Sequence, residues 1–244
     1  MGAEVNCPIE YFDLGEKNTK IFNPEIGEEY VDLLVSKADS FFEENKDLNL
    51  ALIGGLAVQE FYSAKRKRVT SDIDISSLDD EIVKRFEEKG YEIYKNEILD
   101  KYSARDNENQ IHIDIYTSRI SYFEIDKLVF ENRVEPEGYS LKLASPEDIT
   151  TMKILSILTT EKGKSKHKID IYSMILNPDI DFDLKYLAKR IKTKILPKIP
   201  ANYSSIINEI TKSSKGVMDQ FSKKERRFLK SELNRLKNKL FKEY

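Results

Sequence analysis

The sequence predicts an α+β protein: a sheet-bearing half over residues 1–144, then a helical half over residues 145–244. Two observations carry this. Between Leu48 and Leu143, stretches with the two-residue alternation of strands are interleaved with three-and-four helical spacing. From Ser145 onward only helical spacing recurs, and strands followed by a run of helices is the α+β order.

The elements follow in chain order. Ile26, Tyr30, Leu33, Leu34, Ala38, Phe41 and Phe42 are spaced to form the apolar face of a first helix, residues 24–45. "NLALI" reads as a short buried strand running into Gly54 and Gly55, after which Leu56 to Tyr62 returns to helical spacing. A basic loop, Ala64 to Arg68, leads to "SDIDIS", which alternates as a strand does. "DDEIVKRFEEKG" is a helix ended by Gly90, and "YEIYKNE" a further strand. "QIHIDIYTS" alternates cleanly, with Ile111, Ile113 and Ile115 on one face and His112, Asp114 and Tyr116 on the other. Weaker strands are expected at Lys127 to Phe130 and Tyr139 to Leu143. Ser145 is placed as an N-cap, Pro146 at the first helical position, and Glu147 and Asp148 in the first turn, where the helix dipole favours acids. Helices are expected at 146–158, 166–176, 183–195, 202–213 and 221–241.

Composition narrows the class. The chain has 244 residues, 34% of them charged, and no apolar stretch of the roughly 18–20 residues that a membrane-spanning helix needs. The N-terminal stretch has neither a basic region nor an apolar core, so no secretory signal is expected, and the protein is expected to be cytoplasmic. The single cysteine, Cys7, forms no intrachain disulfide and, with two distant histidines, no zinc site; it is read as structural, like His112 and Tyr116. The net charge of −3 conceals an asymmetry: Lys185 to Tyr244 holds 17 of the 40 basic residues but 5 of the 43 acidic ones. A basic tail of this kind suits a polyanion, an acidic partner or the acidic part of its own chain.

The chemistry centres on the Gly pair and the aspartates. On a strand, residues i and i+2 project together, so Asp72 and Asp74 share one face while Ile73 and Ile75 enter the core. Asp114 lies on the polar face of a strand with the same apolar pattern. If those strands are neighbours, three carboxylates converge, and a divalent cation is the natural remedy for their repulsion. Hard oxygen ligands suit Mg2+ or Mn2+ bound together with substrate phosphates. A Gly pair opening a helix lets phosphates approach the backbone amides; Arg68 of the basic loop is a candidate triphosphate partner, against the alternative of an ordinary solvated loop arginine.

In type and order, "ALIGGLAVQEFY" with "KRVTSDIDI" and "LASPEDITTMKILSI" resembles the DNA polymerase β-like nucleotidyltransferases, and within them the AbiEii-type toxins of toxin–antitoxin and abortive-infection systems. The resemblance covers roughly residues 50–176. It implies a mixed-sheet, polymerase β-like palm, with Gly54 and Gly55 holding the nucleoside triphosphate and Asp72 and Asp74 holding Mg2+. It also implies Lys153, seven residues beyond Pro146, as a phosphate ligand, and Asp170 with Lys166 in a last motif where His167 stands in place of the usual aspartate. The spacing from Gly55 to Asp72 is longer than usual, which falls in the basic loop.

The expected activity is transfer of a nucleoside monophosphate from an NTP such as ATP to an acceptor hydroxyl, with Asp72, Asp74, Asp114 and Lys153 as the catalytic set. An RNA 3′ end, in particular tRNA, is favoured by the basic C-terminal helix. A protein hydroxyl acceptor, as in AMPylating enzymes, and a non-catalytic RNA-binding or regulatory role stay open. So do an antitoxin partner, a monomeric or homodimeric state, and a dimerising role for the C-terminal stripe of Phe221, Phe228, Leu229, Leu233, Leu236, Leu240 and Phe241.

Overall fold

The computed structural model describes residues 24–65, 68, 70–97, 100–106, 111–120, 123–160, 163–200, 202–212 and 215–242. The expectations for Cys7 and the N-terminal stretch lie outside them, as do Arg66 and Lys67 of the basic loop and the side chains of Leu240 and Phe241. The chain divides into two compact units. One holds the chain up to Ala57 with Arg68–Ile120 and Ile125–Ala144; the other holds Val58–Lys67, Ser121–Glu124 and Ser145–Tyr244.

The first unit is built on a five-stranded mixed sheet, ordered β1 (Leu50–Ile53), β2 (Asp72–Ser77), β5 (Ile111–Tyr116), β4 (Lys101–Asp106), β3 (Glu92–Asn96). β2 and β5 run parallel, and the other neighbours are antiparallel. The isoleucines direct this register. Ile73, Ile75, Ile113 and Ile115 are each at most 2% exposed, and a slip of one residue would turn that set to the opposite face. Helix α1 (Pro24–Glu44) buries Tyr30, Leu34, Ala38, Phe41 and Phe42, as its spacing predicts. Phe41 stacks on Phe86 of α3 (Glu81–Glu88) at 4.1 Å, and Tyr91 meets the edge of Phe86 at 5.0 Å.

Two expectations fail here, and one strand goes unforeseen. Lys127 to Phe130 is not a strand but helix α4 (Lys127–Glu131), because a short apolar run carries no period that separates the two. Tyr139 to Leu143 reduces to bridges at Leu143, which meets Leu52 and Val134. Strand β4 was not foreseen. Its sequence, KYSARD, lacks an apolar run because one of its faces is polar.

The second unit is helical, as expected. It contains α5 (Pro146–Thr159), α6 (Lys164–Ile175), α7 (Leu184–Arg190) continuing as a π-helical stretch (Ile191–Ile195), α8 (Tyr203–Thr211), the unforeseen short α9 (Lys215–Met218), and α10 (Lys223–Lys242). The Ser145 hydroxyl accepts the Asp148 N–H at 3.1 Å, so the N-cap stands where the sequence places it. α5 is enclosed along most of its length, so its first-turn acids need partners. Asp148 accepts from Arg190 Nε at 2.5 Å and from the Tyr186 hydroxyl at 2.9 Å, and Glu147 accepts the Asp183 N–H at 2.7 Å. Burial raises the Glu147 pKa above the ordinary range, against those bonds. Phe221, just before α10, and Leu229 and Leu233 on it are buried within the unit, whereas Phe228 is 50% exposed. Among the described residues, no helix is long and apolar enough to cross a membrane.

Candidate active site

β1 ends at Ile53, and the chain turns at once into α2 (Gly54–Leu56), which continues as π-helical turns over Ala57–Tyr62. Gly54 has φ +76°, a conformation that glycine adopts without strain. Space also demands glycine there: a Cβ would lie 2.6 Å from Asp74 Cγ and 2.7 Å from Asp74 Cβ. At Gly55 a Cβ would meet Arg68 at 2.5 Å and Thr70 Oγ1 at 2.8 Å. The Gly pair is therefore a backbone surface pressed by Asp74 on one side and by Arg68 and Thr70 on the other. Ile53, at the N-cap, offers no side-chain acceptor to the first-turn amides.

The carboxylates converge by register. Asp74 lies opposite Asp114 across the parallel β2–β5 pair, and Asp72 opposite His112. Ligand oxygens of Asp72, Asp74 and Asp114 lie within 4.8 Å of one another. Each carboxylate meets a donor. Thr70 donates to Asp72 Oδ1 at 3.2 Å and Tyr116 to Asp74 Oδ1 at 3.5 Å. Asp114, 5% exposed, takes Ser103 on Oδ1 at 2.8 Å and the Lys101 ammonium on Oδ2, with His112 Nε2 3.3 Å from Oδ1. Burial first, then the charges of Asp74, Asp114 and Asp72, push the Tyr116 pKa far above the usual phenol range, so its hydroxyl keeps its proton and remains a donor.

Tyr116 and His112, read as structural, border the cluster in the fold. The signal was available: they stand two residues either side of Asp114, on the same strand face. Lys101 and Ser103 were missed because nothing in KYSARD marks it as the strand beside Asp114; across that pairing Ser103 lies opposite Asp114. Asp72, Asp74 and Asp114 are thus a group of carboxylates that could hold a metal ion.

The remaining candidates lie in the helical unit. Lys153 of α5 is 5% exposed and pairs with Asp170 of α6 at 2.5 Å. Asp170 is fully enclosed and also accepts from Gln59 Nε2 at 2.7 Å, a bond from the π-helical turn that follows the Gly pair. Nothing in the sequence pattern singles out Gln59. Lys166 is exposed and His167 half-buried.

Comparison with known proteins gives the family. The family model described as nucleotidyl transferase AbiEii toxin, type IV TA system, matches residues 38–239. No curated protein matches the sequence. Three solved structures are distantly similar, each with a TM-score of 0.43. An antigenic nucleotidyltransferase-like protein from Paracoccidioides brasiliensis is 16% identical, over 77% of this chain and 99% of that one. The Megavirus polyadenylate synthase is 16% identical, over 88% of this chain and 53% of that one. MenT4, a nucleotidyltransferase toxin from Mycobacterium tuberculosis H37Rv, is 11% identical, over 88% and 94%. With the family model spanning most of its length, this chain belongs to the AbiEii family of nucleotidyltransferase toxins.

Proposed function

We propose that the chain transfers a nucleoside monophosphate from an NTP to the 3′ hydroxyl of an RNA, in particular tRNA, in the cytoplasm. The observation that carries this reading is the meeting of three carboxylates beside a glycine turn with φ +76°. Carboxylates so close repel one another, an arrangement that serves a divalent cation and is costly without one. Bound there, Mg2+ or Mn2+ would supply charge neutralisation and lower the pKa of the attacking hydroxyl.

The chain's own groups do the positioning. The Gly54 and Gly55 amides donate to triphosphate oxygens, and Arg68 beside Gly55 pairs with them. Asp72 and Asp74 would hold the cations, with Asp114 joining them and helping to activate the acceptor. The acceptor oxygen bonds to the α-phosphorus as the bond to the β-phosphate bridge breaks and pyrophosphate leaves. Lys153 is the further triphosphate ligand that the resemblance implies, with Asp170 as the residue that positions its ammonium.

RNA is favoured over a protein acceptor by α10, whose Lys224, Arg227 and Lys230 are exposed around the exposed Phe228, pairing charge for phosphates with an aromatic face for a base. The toxin family also implies an antitoxin partner. The test is incubation with each α-labelled NTP, Mg2+ or Mn2+, and total tRNA, beside the Asp72→Asn/Asp74→Asn double variant. Label entering RNA is expected, and a fall of at least about 10³-fold in the variant, as for loss of charge stabilisation at the reacting phosphorus. Label entering only protein, or surviving in the variant, overturns the reading.

A further inference from the structure

Lys101 opens β4 and lies beside the carboxylate cluster. Its side chain is 14% exposed, its ammonium pairs with Asp114 Oδ2, and its Nζ lies 5.9 Å from the centre of the Tyr116 ring. Ser103 donates to the other oxygen of the same carboxylate, and His112 Nε2 lies 3.3 Å from that oxygen. Both oxygens of Asp114 are therefore engaged by the protein itself.

An ammonium on Oδ2 and a divalent cation bound at the same carboxylate repel each other in a partly buried site, so each weakens the other's hold on Asp114. Asp114 joins Asp72 and Asp74 around an ion most favourably when Lys101 moves away from it. Its four-carbon stem allows the swing, and the strand backbone need not move. We infer that Lys101 is an internal counter-cation: it competes with the metal for Asp114 and so sets the metal concentration at which the three carboxylates close on an ion. This rests on the metal reading above. It makes Lys101 a positioning residue that holds the carboxylate array together before the ion arrives and yields when it does.

The competition has a direct readout that needs no catalysis. Mn2+ binding to the full chain, followed by the paramagnetic resonance signal of free Mn2+ without nucleotide, is compared among the wild type, Lys101→Met, Lys101→Gln, Lys101→Arg and Asp72→Asn/Asp74→Asn. Removing the competing charge is expected to tighten Mn2+ binding by at least about tenfold in both neutral variants. Lys101→Arg, which keeps a cation beside Asp114, is expected to stay near the wild type. Unchanged or weaker binding in the neutral variants, with the aspartate variant losing the ion, overturns the inference while leaving the metal reading intact. An ion retained by the aspartate variant overturns both. Should Lys101→Met misfold by circular dichroism, Lys101→Gln, which keeps hydrogen-bond donors without the charge, is judged by the same criterion.

Discussion

Gly54 has no room for a methyl group: the Asp74 carboxylate fills the space that a Cβ would occupy, and the backbone stands at φ +76°. Gly54→Ala therefore combines left-handed strain with a clash against the Asp74 side chain. The strain alone costs about 1 kcal/mol, and the clash is relieved by displacing Asp74. Transfer is expected to fall by at least about 10²-fold, as misplacement of a group by an ångström does, while the melting temperature falls by only several degrees. Activity tracking stability instead would count against Gly54 as part of the phosphate cradle. Gly55 illustrates the same logic against Arg68 and Thr70: the glycine permits the close approach of a guanidinium to backbone amides.

Among the elements, α10 separates packing from recognition along one helix. Leu229 and Leu233 pack within the helical unit, and Phe228 stays exposed among basic side chains. Neutralising Lys224, Arg227 and Lys230 to Gln is expected to weaken RNA binding across all sequences. The slope of log affinity against log salt should flatten by about 0.7 for each single-strand phosphate that the variant no longer neutralises. Filter binding across a salt series reads this. An unchanged slope would remove α10 from the acceptor surface. In β4, by contrast, one polar face carries Lys101 and Ser103 to Asp114, and a strand built for a site loses the apolar signature by which strands are found.

At the scale of the whole molecule, the helical unit is organised around an ion pair with no access to water. Asp148 and Arg190 are each 0% exposed and 2.5 Å apart, and Arg190 also lies over the rings of Phe123 and Tyr186. Asp148→Ala strands the guanidinium in the interior and is expected to cost about 3–5 kcal/mol in urea unfolding. Asp148→Leu/Arg190→Met, which removes both charges, is expected to cost much less. Equal losses in the two variants would show that packing, not charge, dominates there.

The sequence by itself determined the α+β order, the first helix, the Ser145 cap and the alternation that directs Asp72, Asp74 and Asp114 to polar strand faces. These are local: the period of the side chains and the chemistry of turns are written within a few residues. Tertiary structure alone decided that β2 and β5 are parallel neighbours with Asp74 opposite Asp114, since strand pairing joins segments far apart in the chain and leaves no trace in either. It also decided that Lys127 to Glu131 coils into a helix, that Lys101 reaches Asp114, and that Lys153 and Gln59 meet on a buried Asp170. Each of those outcomes depends on which surfaces burial brings together, and burial is a property of the folded chain rather than of any window along it.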